Sequence, residues 1–179
     1  MDKIYVCRVG DSKTDSHFDK TFKSPIINEK YNKIRWAFNK CSISKKMVKF
    51  INKSISEGNN HWVIFFQNKP HDYPYAISSF KSIKERNLGP LINIDETNDE
   101  RGWDKITSCG NNDFTYDIIL DQIYLLNRES FNGCKLKGQT TFFELKSEKL
   151  CEDHVKLYNE VIKELPYIIR YVEPIKCIY

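Results

Sequence analysis

An α+β domain with a curved, mostly antiparallel sheet is predicted by three features of the chain. There are several short runs of branched and aromatic residues, an amphipathic helix placed between the opening strands, and a second amphipathic helix near the carboxyl end. Strands first, a helix between them, then a meander and a closing helix predict a sheet that curves into a small open barrel with flanking helices. The 179 residues, 40% hydrophobic and 13% aromatic, suffice for a single domain, 1–179, with a substantial core, and exclude a disordered tail.

Taken in order, Lys3 to Val9 alternates as a first strand and ends at Gly10-Asp11, after which the polar run through Asp19 reads as a loop. Pro25 to Phe38 predicts a short helix with Asn28 near its start and Trp36 at its end. Ser44 is the N-cap of a firmer helix, whose Met47, Val48, Ile51 and Ile55 form one apolar face and which stops at Gly58, a residue suited to a left-handed C-cap. His61 to Phe66 and Tyr75 to Phe80 are two adjacent core strands joined by the turn-forming Asn68-Lys69-Pro70-His71-Asp72. Glu85 to Cys109 is the longest weakly patterned segment and carries Trp103; loops of that length in a compact domain are commonly functional or disordered. Tyr116 to Leu126 and Thr140 to Leu145 predict two further strands. Ser147 then caps a helix bearing Leu150, Val155, Tyr158, Ile162 and Leu165, with Pro166 as its stop and Tyr167 to Val172 as an edge strand.

No apolar stretch approaches the roughly 20 residues needed to cross a bilayer, and Met1-Asp2-Lys3 begins no signal-peptide pattern, so no membrane association and an intracellular protein, cytoplasmic or nuclear, are expected. Cys7, Cys41, Cys109, Cys134, Cys151 and Cys177 form no C-x-x-C pair, which excludes the signatures of a zinc ribbon and of a thioredoxin-like site and predicts free thiols. Neither His17, His71 nor His154 has metal-ligand spacing, and no glycine-rich phosphate loop occurs, so no cofactor is expected. The formal net charge of +4 suits an anionic partner and equally an ordinary mixed surface. Abundant Lys, Asn and Ile match an AT-rich coding genome, viral or microbial.

The stretch Lys30 to Phe38, followed by a polar helix, an apolar strand (Val63 to Phe66), a turn and a second strand (Tyr75 to Phe80), resembles YTH domains of the PUA-like superfamily. The related EVE domains share this order, including an opening strand like Ile4 to Val9. The resemblance spans Lys3 to about Leu165. It implies a single PUA-like domain that binds single-stranded RNA or a modified nucleobase, of the N6-methyladenosine type, and catalyses nothing. It implies that Trp36 and Trp103 are walls of an aromatic cage and that Asn28 and Ala37 line it, Ala37 standing where the family commonly has serine. Two further departures are Pro70-His71-Asp72 in place of a glycine-rich turn and the absence of an Arg-Asp-Gly run around Asn132-Gly133.

The chemistry of such a cage is general: tryptophan faces hold a stacked base by π overlap and dispersion, worth roughly 1–3 kcal/mol per base. Core packing is the expectation for Trp62, flanked by Val63 and Phe65; for Trp36 and Trp103 packing and binding both stand open. Lys23, Arg35, Lys40 and Lys105 are the cations expected to neutralise phosphates near the cage.

Two other functions compete. Asn60-His61-Trp62 and Cys109-Gly110 resemble marks of cysteine proteases of the SUMO-protease and adenoviral-protease type, in which a histidine activates a thiolate and an acid, here Asp72 or Asp95, orients the histidine. The interval from His61 to Cys109 is short for those enzymes, and the glutamine they place before the cysteine is missing from Asp104 to Ser108. A non-catalytic protein-interaction scaffold is the third reading.

Overall fold

The strand His61–Gln67 is buried along its whole length, which requires cover on both faces of the sheet that holds it. The computed structural model describes residues 2–9, 35–39, 43–67, 73–85, 114–136, 142–146 and 151–174, with the backbone alone described at 9, 35–39, 114, 115 and 117. The elements are β1 (Lys3–Val9), β2 (Arg35–Asn39), α1 (Lys45–Ser56), β3 (His61–Gln67), β4 (Tyr73–Glu85), β5 (Phe114–Leu125), a 3-10 turn (Arg128–Phe131), β6 (Phe142–Leu145) and α2 (Glu152–Tyr171).

The strands form one sheet in the order β2-β5-β4-β3-β1-β6. Its neighbours are antiparallel except β1 and β3, which run parallel from Lys3↔His61 to Val9↔Gln67. The mostly antiparallel α+β sheet is therefore as expected, but the barrel is not: β2 and β6 are the two edges of an open sheet. The period-2 alternation explains why. On one face Tyr5, Cys7, Val63 and Phe65 pack with Val48 and Ile51 of α1; on the other Val6, Trp62, Ile64 and Phe66 pack with Leu157, Val161 and Leu165 of α2. A sheet apolar on both faces is satisfied by a helix on each side and gains nothing from closing around a single interior.

Local chemistry sets the ends of α1. Ser44 Oγ accepts from the Met47 N–H at 3.2 Å, and Gly58, at φ +85°, takes the left-handed conformation past the last turn. Its charges work against it. Lys45 and Lys46 occupy the first turn, where the helix dipole disfavours cations, and no acid stands there. Lys45, Lys49 and Lys53 repeat at four-residue spacing, and like charges so placed destabilise a helix by about 0.2–0.5 kcal/mol per pair. Burial of Val48 and Ile51, at roughly 1.5–3 kcal/mol each, outweighs this.

Asn52 ties α1 to the sheet. The first pair of β3 with β4 is Trp62↔Ser79, yet β4 continues to Glu85, so among the described residues its last residues have no partner strand on that side. There the Asn52 amide takes the strand's place: Nδ2 donates to the Ile83 carbonyl at 2.7 Å and Oδ1 accepts from the Ile83 N–H at 2.8 Å.

The sequence expectations for two segments are corrected. Arg35–Asn39, expected at the end of a helix, is the edge strand β2; its aromatic residues Trp36 and Phe38 recur at every second position, and it pairs with the long β5, whose edge offers a hydrogen-bonding ladder. The rest of that expected helix, including Asn28, lies outside the described residues. At the carboxyl end, α2 does not stop at Pro166 but runs through it to Tyr171, replacing the expected edge strand 167–172. A proline inside a helix costs about 3 kcal/mol; burial of Leu165 and Ile168 on either side returns roughly 3–6 kcal/mol, while Pro166 itself faces solvent. The N-cap of α2 is Cys151, followed by Glu152 and Asp153, whose charges favour the first turn, and not Ser147, which lies with Leu150 outside the described residues. No helix among the described residues is long and apolar enough to cross a membrane.

Candidate functional site

In open α/β sheets ligands bind outside the carboxyl ends of parallel strands, at a switch in strand order. The β1–β3 pair supplies one such end. Its last pair is Val9↔Gln67, Gln67 in turn stands opposite Tyr73 at the start of β4, and β6 enters beside Cys7, opposite Phe142. Gln67 is 2% exposed, yet its amide oxygen has no hydrogen-bond partner among the described residues. A buried acceptor left open is costly and rare in a native interior. Beside it, the Arg128 guanidinium lies 4.5 Å from the centroid of the Tyr73 ring, a cation–π stack at the mouth of the 3-10 turn. The Gln67 oxygen is buried, as His61 Nε2 is, so a ligand would reach it only by displacing its cover; the exposed Arg128 guanidinium over Tyr73 is the accessible planar group here, able to stack on a flat heterocycle.

Trp36, Arg35 and Ala37 lie on β2, at the far edge of the sheet from β6. The register sets Trp36 opposite Ile118, Arg35 opposite Ile119 and Ala37 opposite Asp117. Trp103, Asn28, Lys23, Lys40 and Lys105 lie outside the described residues, as do Asp72, Asp95 and Cys109. Trp62 is a core residue, 7% exposed, packed with Tyr124 in the α2-side cluster, as expected; its Nε1 has no hydrogen-bond partner among the described residues.

His61 opens β3 inside an aromatic group. Its ring stacks on Tyr5 with centroids 5.8 Å apart and meets Phe80 edge-on at the same distance, while Tyr5 stacks in turn on Phe142 at 5.3 Å. Nδ1 donates to the Asn59 carbonyl at 3.0 Å, which leaves Nε2 as the acceptor of a neutral ring, and that atom is buried without a partner. Burial lowers the His61 pKa, the Lys3 charge adds to this, and the Asn59 bond, Glu144 and Asp2 oppose it. Burial likewise raises the Tyr5 phenol, reinforced by Glu144. Both groups are held neutral. No carboxylate hydrogen-bonds the imidazole among the described residues, and a substrate would have to displace Tyr5 or Phe80 to reach it. Cys134, buried under α2, has its thiol pKa raised by burial, and Cys7, Cys134 and Cys151 form no disulfide.

Comparison with known proteins assigns no family: no family model matches the chain, and no curated protein matches it. Sequence reasoning did not single out Gln67 or Arg128. The signal for Gln67 was present, a lone amide closing an otherwise apolar run, but its meaning depends on β1 and β3 being parallel neighbours, which spacing along the chain does not reveal.

Proposed function

We propose that the protein is a PUA-like domain of the YTH/EVE kind that binds single-stranded RNA or a modified nucleobase, of the N6-methyladenosine type, without catalysing a reaction. The observation that carries this reading is the order of elements: an opening strand, the Trp36 strand, helix α1, then β3, β4 and β5 as a meander and a closing helix, all in one sheet. The opening strand, the polar helix and the paired strands β3 and β4 follow the order of the resemblance, whereas Trp36 stands on a strand where the resemblance has a short helix. Trp36 and Trp103 are the proposed cage walls, Asn28 and Ala37 their polar and small neighbours, and Lys23, Arg35, Lys40 and Lys105 the phosphate partners. The exposed Arg128 guanidinium over Tyr73 suits stacking on a planar base. A binder of this kind needs no cofactor and acts within the cell.

The cysteine-protease reading asks His61 to be accessible and oriented by an acid. Its burial and its bond to a backbone carbonyl favour a packing role instead. The test is substitution of the two tryptophans. Trp36→Ala and Trp103→Ala should each weaken RNA binding by about 1–3 kcal/mol with little loss of stability. A buried packing tryptophan would instead cost about 3–5 kcal/mol of stability when truncated, and that outcome would refute the cage.

A further inference from the structure

We infer that the outward face of α1 is a second contact surface, one that grips the phosphate backbone of single-stranded nucleic acid whatever its bases carry. With the helix advancing about 100° per residue, Lys45, Lys46, Lys49 and Lys53 fall within an arc of about 100°, opposite the buried Val48 and Ile51. All four lysines are exposed, and Lys45, Lys46 and Lys49 have no ion-pair partner among the described residues; only Lys53 has one, Glu57 at 3.8 Å. On the flank of this stripe Phe50 is 54% exposed, and Lys3 Nζ from β1 sits 4.3 Å above its ring. Five lysines against Asp2 and Glu57 place three of the chain's formal net +4 charges on this one face.

Two features point to a ligand. Lys45 and Lys46 stand where the helix dipole disfavours cations, and Lys45, Lys49 and Lys53 repel one another along the face; only Lys53, in the last turn, is favoured by the dipole, so helix stability does not account for the stripe. An exposed aromatic set among cations is the combination by which proteins track single strands, stacking a base while neutralising its phosphates. A membrane is the poorer fit, because the apolar side of α1 is already buried against the sheet and Phe50 alone is left to insert. The inference takes its ligand class from the proposed function but is independent of the tryptophan cage and of any methyl group.

The probe is an unmodified ten-nucleotide oligouridine, titrated by fluorescence polarisation from 50 to 300 mM KCl. Each phosphate contact on a single strand contributes about 0.7 to the slope of log K against log salt. The triple variant Lys45→Gln, Lys49→Gln, Lys53→Gln should therefore lose about 2 from that slope and bind about tenfold or more weakly at the lowest salt. Phe50→Ala should weaken binding about fivefold or more with the slope unchanged. The exposed Lys146→Gln, Lys163→Gln pair should change neither. Because the triple variant relieves like-charge repulsion, its melting temperature should hold or rise, which separates lost binding from lost folding. Wild-type affinity and slope in the triple variant, or no binding by the wild type at 50 mM KCl, would overturn the inference. So would lysine-dependent binding to phosphatidylserine vesicles with RNA affinity untouched. A lysine-dependent slope without methyl preference would sink the reader and keep this face; methyl preference with silent lysines would do the reverse.

Discussion

Removing the Asn52 amide should uncouple α1 from the end of β4. Asn52→Ala leaves the N–H and C=O of Ile83, a residue 2% exposed, without the two bonds of 2.8 and 2.7 Å that now satisfy them. At a net of about 0.5–1.5 kcal/mol for each bond, the loss is about 1–3 kcal/mol. For a chain of this length that corresponds to a fall in melting temperature of roughly 2–4 °C per kcal/mol. Asn52→Asp is the sharper perturbation. It keeps an acceptor for the Ile83 N–H but turns an anionic oxygen toward the Ile83 carbonyl, so it should destabilise at neutral pH and recover as acid protonates the carboxyl and restores a donor. Urea unfolding followed by tryptophan fluorescence, with the m-value checked for constancy, measures both variants. An Asn52→Ala midpoint equal to the wild type's would refute the strand-substitute role, as would an Asn52→Asp deficit that does not shrink on acidification.

Three further outcomes follow from the same packing. His61 is held neutral when folded, so its folded pKa lies below the unfolded value near 6.5; the unfolded chain binds the extra proton, and stability is lost as pH falls below about 6.5, by at most about 1.4 kcal/mol per pH unit, levelling off below the folded pKa. His61→Phe should flatten that slope in urea titrations between pH 7 and pH 5, and an unchanged slope would show that another group is responsible. Pro166→Ala restores a helix hydrogen bond at an exposed position and should raise stability by about 1–3 kcal/mol in the same assay, a loss instead showing that the packing of Leu165 and Ile168 depends on the proline's geometry. Trp62→Ala should cost about 3–5 kcal/mol of stability because it empties a core site, and a mild effect would mean that α2 does not pack on it as described.

The elements that depend on local pattern were legible in the chain. The bounds of β1, the Ser44 cap, the Gly58 stop and the apolar run of β3 each carry their cause within a few residues. What failed to read through was decided by partners distant in sequence. Trp36 looked like the end of a helix because nothing in Pro25 to Phe38 announces that β5 offers it an edge. Pro166 looked like a stop because the local rule is right about its cost and silent about Leu165 and Ile168 on either side. The barrel was expected from strand order, whereas an open sheet follows from both faces of β1 and β3 being apolar, a pattern visible in Tyr5 and Val6 or Val63 and Ile64 only once the two helices are known to lie on opposite sides. Among site residues, the tryptophans stood out by type, while Gln67 acquired meaning from the parallel register that leaves its amide oxygen open beside Tyr73.

The proposal that this domain reads a modified base is tested most directly by titrating the protein with two oligoribonucleotides identical except for one N6-methyl group on a central adenine, at a single salt concentration. Burying one methyl group against aromatic faces is worth about 0.8 kcal/mol or more, so the methylated strand should bind at least about fourfold more tightly, and the difference should vanish in Trp36→Ala. Equal affinities for the two strands would contradict the account and leave at most a binder indifferent to modification.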